Sequence, residues 1–255
     1  MRISNYYAIS AIIHFRIKDF IKEYNYTIIS PLVNTLIFVI IFSAIDSYYS
    51  ITMNNMSFLK FLIPGLILIA VVQTSFDYTS TTLINMKQIG SFDDFLMAPI
   101  NRVEIYFSFI ISSVIIGLFI GLLNYFLLSL FIGFHLLEIF FFLYYLILVT
   151  LIFSSLGCLI GFITYKWDTQ STISNFFITP INLLSGTFFS ISVVPESLKF
   201  LFIYNPYYYV VSNFRSSFYN SFEYDPFTNV FIFIFVVLFV FSSGYIFYYG
   251  FKVIK

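Results

Sequence analysis

Side chains able to do chemistry are scarce in this sequence. His135 and Glu138 stand three residues apart, near enough to share a helix face. Two ligands fall short of the three or four that hold zinc, and the pair lies where two apolar segments meet, so a solvated turn is the simpler reading. His14 is the only other histidine, which leaves no Ser/His/Asp set for nucleophilic catalysis. Cys158 is the single cysteine, so neither an internal disulfide nor a cysteine metal spacing exists. Within LIFSSLGCLIGFI it is expected as a small buried packing residue. Asp77, in QTSFDYTS, is an acid inside an apolar run and a functional candidate for that reason. Its place toward one end of the run makes solvation easy and favours a structural role. Ser80, Thr81 and Thr82 are expected to satisfy backbone carbonyls or solvent. No G-x-x-x-x-G-K-S/T sequence occurs, so the chain carries no phosphate-cradling loop of that kind. Neither a metal nor a cofactor is predicted.

The elements that would carry these residues are apolar. Hydrophobic residues make up 60% of the 255 and charged residues 9%, against about 25% charged in soluble domains. An all-α integral membrane protein follows. Twelve basic and twelve acidic residues cancel, which argues against a nucleic-acid partner. The 37 Phe and 21 Tyr are the codon signature of an AT-rich genome before they are a ligand cage. Six segments reach the roughly 20 apolar residues that a helix needs to cross a bilayer, near 28–46, 58–80, 104–133, 137–164, 172–194 and 227–250. Residues 1–25 differ. Ile9, Ile12, Ile13, Ile17, Phe20 and Ile21 fall near helical spacing, with Arg16, Lys18, Lys22 and Glu23 between them, which predicts an amphipathic helix along the interface. With the N-terminus placed in the cytoplasm, nine basic residues (Arg2, Arg16, Lys18, Lys22, Lys87, Arg102, Lys166, Lys252, Lys255) fall on that side and three (Lys60, Lys199, Arg215) on the other. Both termini are therefore predicted cytoplasmic. The chain is predicted to be a single domain over 1–255.

The stretch GSFDDFLMAPINRVE, residues 90–104, would then face the cytoplasm. Gly90 allows a sharp turn at a helix end. Ser91 can cap a new helix, with Asp93 and Asp94 near its positive end. Phe92, Phe95 and Leu96 give that helix an apolar face, and Pro99 stops it. Arg102 and Glu104 lead into the next span. Physical chemistry alone allows both a docking lever and an ordinary interfacial turn. Farther on, Gly186, Pro195 and Pro206 interrupt an otherwise apolar stretch. Broken helices at membrane depth survive only where protein or water covers the freed backbone, so 187–214 is predicted to form an external hairpin of short re-entrant helices. Tyr204, Tyr207, Tyr208 and Tyr209 fit an aromatic belt, and Arg215 fits either a snorkelling cation or an anchor for the turn.

Gly90, Asp93, Asp94, Phe95, Leu96, Ala98, Pro99, Arg102 and Glu104, in that order, resemble the first cytoplasmic coupling region of ABC-2 type permeases, and Pro64-Gly65 resembles the family's second span. A later run, Pro180, Ser185, Gly186, Phe188, Phe189, Pro195, Asn205, Pro206 and Arg215, is similar to the segment that closes the family's fifth span. Among subfamilies the chain resembles the YadH-like inner-membrane permeases. The resemblance implies a permease of the bacterial inner membrane, exporting a lipid, glycan or hydrophobic small molecule. It implies two copies of a separate ABC ATPase and a second copy of this chain, in a homodimer surrounded by membrane lipid. ATPase coupling would fall to residues 90–104, Phe92 included, with a smaller second contact at Lys166, Trp167 and Asp168. The alternative is an ATP-independent secondary transporter or channel. It would be marked by buried charges or repeat symmetry, of which the sequence carries little.

Overall fold

The structure, a computed structural model, describes residues 6–49, 52–53, 56–98, 100–133, 135–219 and 226–250; at 49, 95 and 96 it describes the backbone alone. Pro99, Arg2, Lys252 and Lys255 lie outside these residues. Five helices are long and apolar enough to cross a bilayer: Asn25–Tyr48, Phe58–Ile89, Arg102–Ile132, Ile139–Ile163 and Pro226–Gly250. They form most of α2 (Ser30–Tyr49), α3 (Phe58–Ile89), α5 (Arg102–Ile132), α6 (Ile139–Ile163) and α11 (Pro226–Gly250).

α3 is the centre of the bundle. Its most apolar stretch is 78% buried, against 11% for α2, which therefore lies at the periphery. The close packing of α3 on α6 depends on missing side chains. A Cβ on Gly157 would come within 2.6 Å of the Phe76 carbonyl oxygen, and one on Gly161 within 2.8 Å of that of Ser80. Small residues let transmembrane backbones approach in this way, where dispersion replaces the hydrophobic effect as the driving force. Several polar groups inside pair across helices. Tyr106 donates to the Val240 carbonyl at 2.9 Å and meets Ser155 and Ser243, tying α5 to α6 and α11. Tyr145 donates to Asn229 Oδ1 at 2.7 Å.

α3 runs well past the expected end near residue 80. The hydroxyls of Ser80, Thr81 and Thr82 donate to the carbonyls four residues back, of Phe76, Asp77 and Tyr78. The helix thus continues through its polar stretch, as hydroxyl back-bonding permits. At 32 residues it is about 48 Å long at 1.5 Å per residue, against a hydrocarbon core of about 30 Å.

Two expectations change. The segment placed at 172–194 is helical earlier and stops earlier: α7 (Trp167–Ile173), a π-turn at Ser174–Ile178 and α8 (Thr179–Leu183) abut, in pieces of 7, 5 and 5 residues. The chain leaves helical geometry at Leu184 and turns through Gly186, whose φ of +73° suits glycine alone. The N-terminal helix, α1 (Tyr6–Lys22), keeps most of the expected inward face but adds Arg16 to it and leaves out Ile21. It buries Ile12, Arg16 and Phe20, spaced four apart, while Ile21 is exposed. A π-turn at Asn25–Ile29 joins it to α2. A minimal antiparallel ladder, β1 (Thr52–Met53) with β2 (Met56–Ser57), was not expected from the sequence; it closes the turn between α2 and α3.

Candidate functional site

The stretch 90–104 forms a braced corner. Gly90 sits at φ +83°, ends α3 and sends its N–H to the Lys87 carbonyl. Nothing lies within 4 Å of where its Cβ would be, so the requirement there is conformational rather than steric. α4 (Ser91–Met97) follows, with Asp93 and Asp94 in its first turn. Both acids are exposed, and so are Ile89 and Met97, while Phe92 is buried. Ser91 does not cap this helix: Gly90 is the N-cap residue, and the Ser91 hydroxyl donates back to the Met86 carbonyl at 3.3 Å. The cap that does form lies one element on. Asn101 Oδ1 accepts from the Val103 N–H, and the Asn101 N–H donates to Glu104 Oε2 at 3.0 Å, a reciprocal capping box that starts α5. Glu104 is thus engaged in a cap. Arg102 donates to the Tyr248 carbonyl at 3.3 Å and ties the start of α5 to the end of α11. Of the residues predicted for coupling, Asp93 and Asp94 present free surface. Phe92, Arg102 and Glu104 hold the corner in place.

A second segment is drawn to the same end of the bundle. Lys87 donates to the Phe162 carbonyl at 2.9 Å and to that of Thr164, with its ammonium 4.2 Å from the Tyr165 ring centroid. Gln88 donates to the Tyr165 carbonyl at 3.1 Å. The last turn of α3 thereby satisfies the orphan carbonyls where α6 ends, and places exposed Lys166, Trp167 and Asp168 beside the Gly90 corner. A lysine between apolar spans gives no sequence signal of this contact beyond its position in the last turn of a helix.

The 187–214 segment is stitched together from its ends. Arg215, in α10 (Pro206–Arg215), is buried and donates to the carbonyls of Gly186 (2.6 Å), Thr187 (3.3 Å) and Phe61 (3.3 Å), with its guanidinium 3.8 Å from the Phe61 ring centroid. It is the anchor of the turn. Asn205 caps α10 by accepting from the Tyr207 N–H and donates to the Ile181 and Leu184 carbonyls, while Pro206 opens that helix at its first position. Between these ties lie two 3₁₀ turns, at Ile191–Val193 and after Pro195 at Glu196–Leu198, and α9 (Lys199–Ile203). Phe188 is buried against Phe38 and Phe42 of α2, whereas Phe189 is exposed. Tyr204 is 83% exposed and suits a belt, but Tyr207 is 3% exposed and belongs to the interior. A Cβ on Gly65 would meet Thr187, so the Pro64-Gly65 step of α3 receives the turn.

Arg16 was not foreseen as an interior residue. It donates to the Phe109 carbonyl at 2.7 Å and to Ser112 Oγ at 2.8 Å, and stacks near the Tyr78 and Phe109 rings. Tyr78 donates to the Arg16 carbonyl at 2.7 Å. Burial lowers the guanidinium pKa, against an opposing pull from Tyr78. Its spacing from Ile12 and Phe20 is the sequence signal that could have placed it. Asp77 Oδ1 accepts from Gln170 Nε2 (2.8 Å) and Ser174 Oγ (3.1 Å), joining α3 to α7. Cys158 is buried in α6, and His135 and Glu138 are exposed. Among the described residues, no three His, Cys, Asp or Glu side chains cluster as metal ligands.

Known proteins share this sequence pattern. The family model for the ABC-2 type transporter matches residues 7–219. The inner membrane transport permease YadH of Escherichia coli strain K12 is 27% identical over 202 residues, 79% of this chain and 79% of that protein. The YadH permease of Shigella flexneri matches to the same extent. The match spans the Gly90 corner and the Arg215-anchored turn, and the chain belongs to the ABC-2 type transporter family.

Proposed function

We propose that this chain is the membrane-spanning permease subunit of an ATP-driven exporter in a bacterial inner membrane, working as a homodimer with two copies of a separate ABC ATPase. One observation carries the reading. Two exposed acids, Asp93 and Asp94, sit on a short helix fixed to the end of the most buried span, with the 164–168 segment beside it. Coupling needs an element that transmits a change of arrangement and not mere proximity. α3 meets that requirement, because force on the Gly90 corner would move a rigid helix whose opposite half receives the turn at Thr187. The ATPase would dock at 90–104 with a smaller contact at 166–168, both in the cytoplasm, as the basic-residue count places them. The surplus length of α3 accords with this, since a helix of about 48 Å leaves about 18 Å beyond the lipid core. Residues 1–25 would lie along the inner interface. The fifth span would be the α7–α8 helix, and 187–214 would re-enter from the outer face to control the exit. The relatives named YadH are inner membrane transport permeases, which supports both location and role. The cargo class, a lipid, glycan or hydrophobic small molecule, rests on the family resemblance alone.

Charge reversal tests this reading. In the complex reconstituted in liposomes, D93K/D94K is expected to abolish substrate-stimulated ATP hydrolysis while leaving insertion and basal hydrolysis unchanged. Wild-type stimulation in that double variant, or purification in mild detergent without any ATPase chain, would overturn the assignment.

A further inference from the structure

Asp77 does more than join α3 to α7. The residue also lines a cavity of about 140 Å³ between α2 and α3. Oδ1 takes both hydrogen bonds, from Gln170 and Ser174, and Asp77 has no ion pair among the described residues. Thr74, one turn earlier, is 7% exposed, lines the same cavity, and its hydroxyl has no hydrogen-bond partner. The exposed side chains of Tyr26, Asn34 and Gln73 complete a polar end. The other end is apolar, with Phe38, Leu66 and Ile69. From Leu66 to Asp77 the cavity spans about 16 Å of helix rise. Among the described residues, no Lys, Arg or His lines it.

We infer that this cavity binds the ammonium group of a cationic amphiphile, with Asp77 as counter-ion and the apolar body of the molecule directed toward Leu66. An acid within a span lacking a cationic partner marks a ligand or ion path by default. The aromatic face of Tyr26 can add a cation–π contact. The absence of basic residues from the lining disfavours an anionic or phosphate-bearing head. Depth fits as well. Tyr78, the next residue, bonds to α1, which places Asp77 at the level of that helix, where an amphiphile in the inner leaflet would hold its charge. A single ammonium with a short chain matches the volume, and the gradient from Asp77 to Leu66 matches its polarity. Only the direction in which a bound molecule would travel rests on the exporter reading.

Binding is measured on the full chain alone in phosphatidylcholine nanodiscs, so the result does not depend on ATPase coupling. n-Octylammonium, n-octanol and n-octyl sulfate share one chain and differ in head, which separates recognition from partitioning. Calorimetry is expected to give saturable octylammonium binding about tenfold tighter than octanol, with octyl sulfate weakest. Asp77→Asn keeps an acceptor for Gln170 and Ser174 yet removes the charge, and is expected to erase the tenfold preference. Thr74→Val, as a second variant, should weaken octylammonium about threefold. Equal binding of the three heads overturns the inference, and so does an undiminished preference in Asp77→Asn. Displacement of octylammonium by millimolar Na⁺ would mark an inorganic cation site, and loss of the preference in phosphatidylethanolamine nanodiscs would mark a bilayer lipid as occupant. Either result overturns the assignment to a cationic cargo.

Discussion

At position 16 the side chain stands where the i, i+4 spacing of Ile12 and Phe20 calls for an apolar residue, and the structure fills it with arginine. The guanidinium reaches past its aliphatic stem to a carbonyl and a hydroxyl of α5, and two aromatic faces cover it. Hydrogen bonds to charged groups contribute about 1.5–3 kcal/mol, and here they add to the apolar packing of Ile12 and Phe20 in holding α1 to the bundle. Arg16→Ala is therefore expected to loosen α1. Limited trypsinolysis at Lys18 and Lys22 should speed up several-fold in detergent, while the rest of the bundle stays resistant. An unchanged cleavage rate would show that α1 is held by its apolar contacts alone. Asp93 and Asp94 were legible in the sequence because exposed acids between two apolar runs have no partner there to consume them. The inward placement of Arg16 was not legible, since charge in an amphipathic pattern marks the wet face unless a distant carbonyl accepts it.

Among the elements, the two helix starts that matter most are both fixed by asparagine. Asn101 begins α5 through a capping box with Glu104, and Asn205 begins α10 while holding the end of α8. The two caps predict different outcomes for one kind of substitution. Asn101→Ala loses a cap worth about 1 kcal/mol and should lower the thermal unfolding midpoint slightly. Asn205→Ala loses the cap and strands two carbonyls as well, at a further cost of about 1 kcal/mol or more. Thermal unfolding by circular dichroism in one detergent should rank Asn205→Ala below Asn101→Ala; the reverse order would mean that water replaces both lost bonds. The capping pattern N-R-V-E, residues 101–104, was present in the sequence and would have named the start of α5 to the residue. The end of the α7–α8 helix was not legible, because apolar residues continue on both sides of Gly186 and only backbone geometry separates helix from turn.

For the whole molecule, the arrangement puts the Gly90 corner and the 164–168 segment at one end of α3, and the turn at Thr187 near the other. The proposed topology can be checked directly. With Cys158 replaced by serine, a cysteine at Met97 should react with a membrane-impermeant maleimide only when the cytoplasmic face is open. One at Ser192 should react only from the opposite face. Labelling of both from the same side would remove the proposed distinction between docking corner and outer hairpin.

Composition and hydropathy by themselves determined the membrane class and the approximate places of five spans, because burial in lipid acts on each segment independently of its neighbours. Tertiary structure decided which helix is central, that Arg16 turns inward with Ile12 and Phe20, and that Lys87, Arg102 and Arg215 serve distant backbone carbonyls. Those outcomes depend on pairing between residues up to 154 positions apart. A hydrogen bond across that separation leaves no periodicity, so it becomes visible only once the helices are packed.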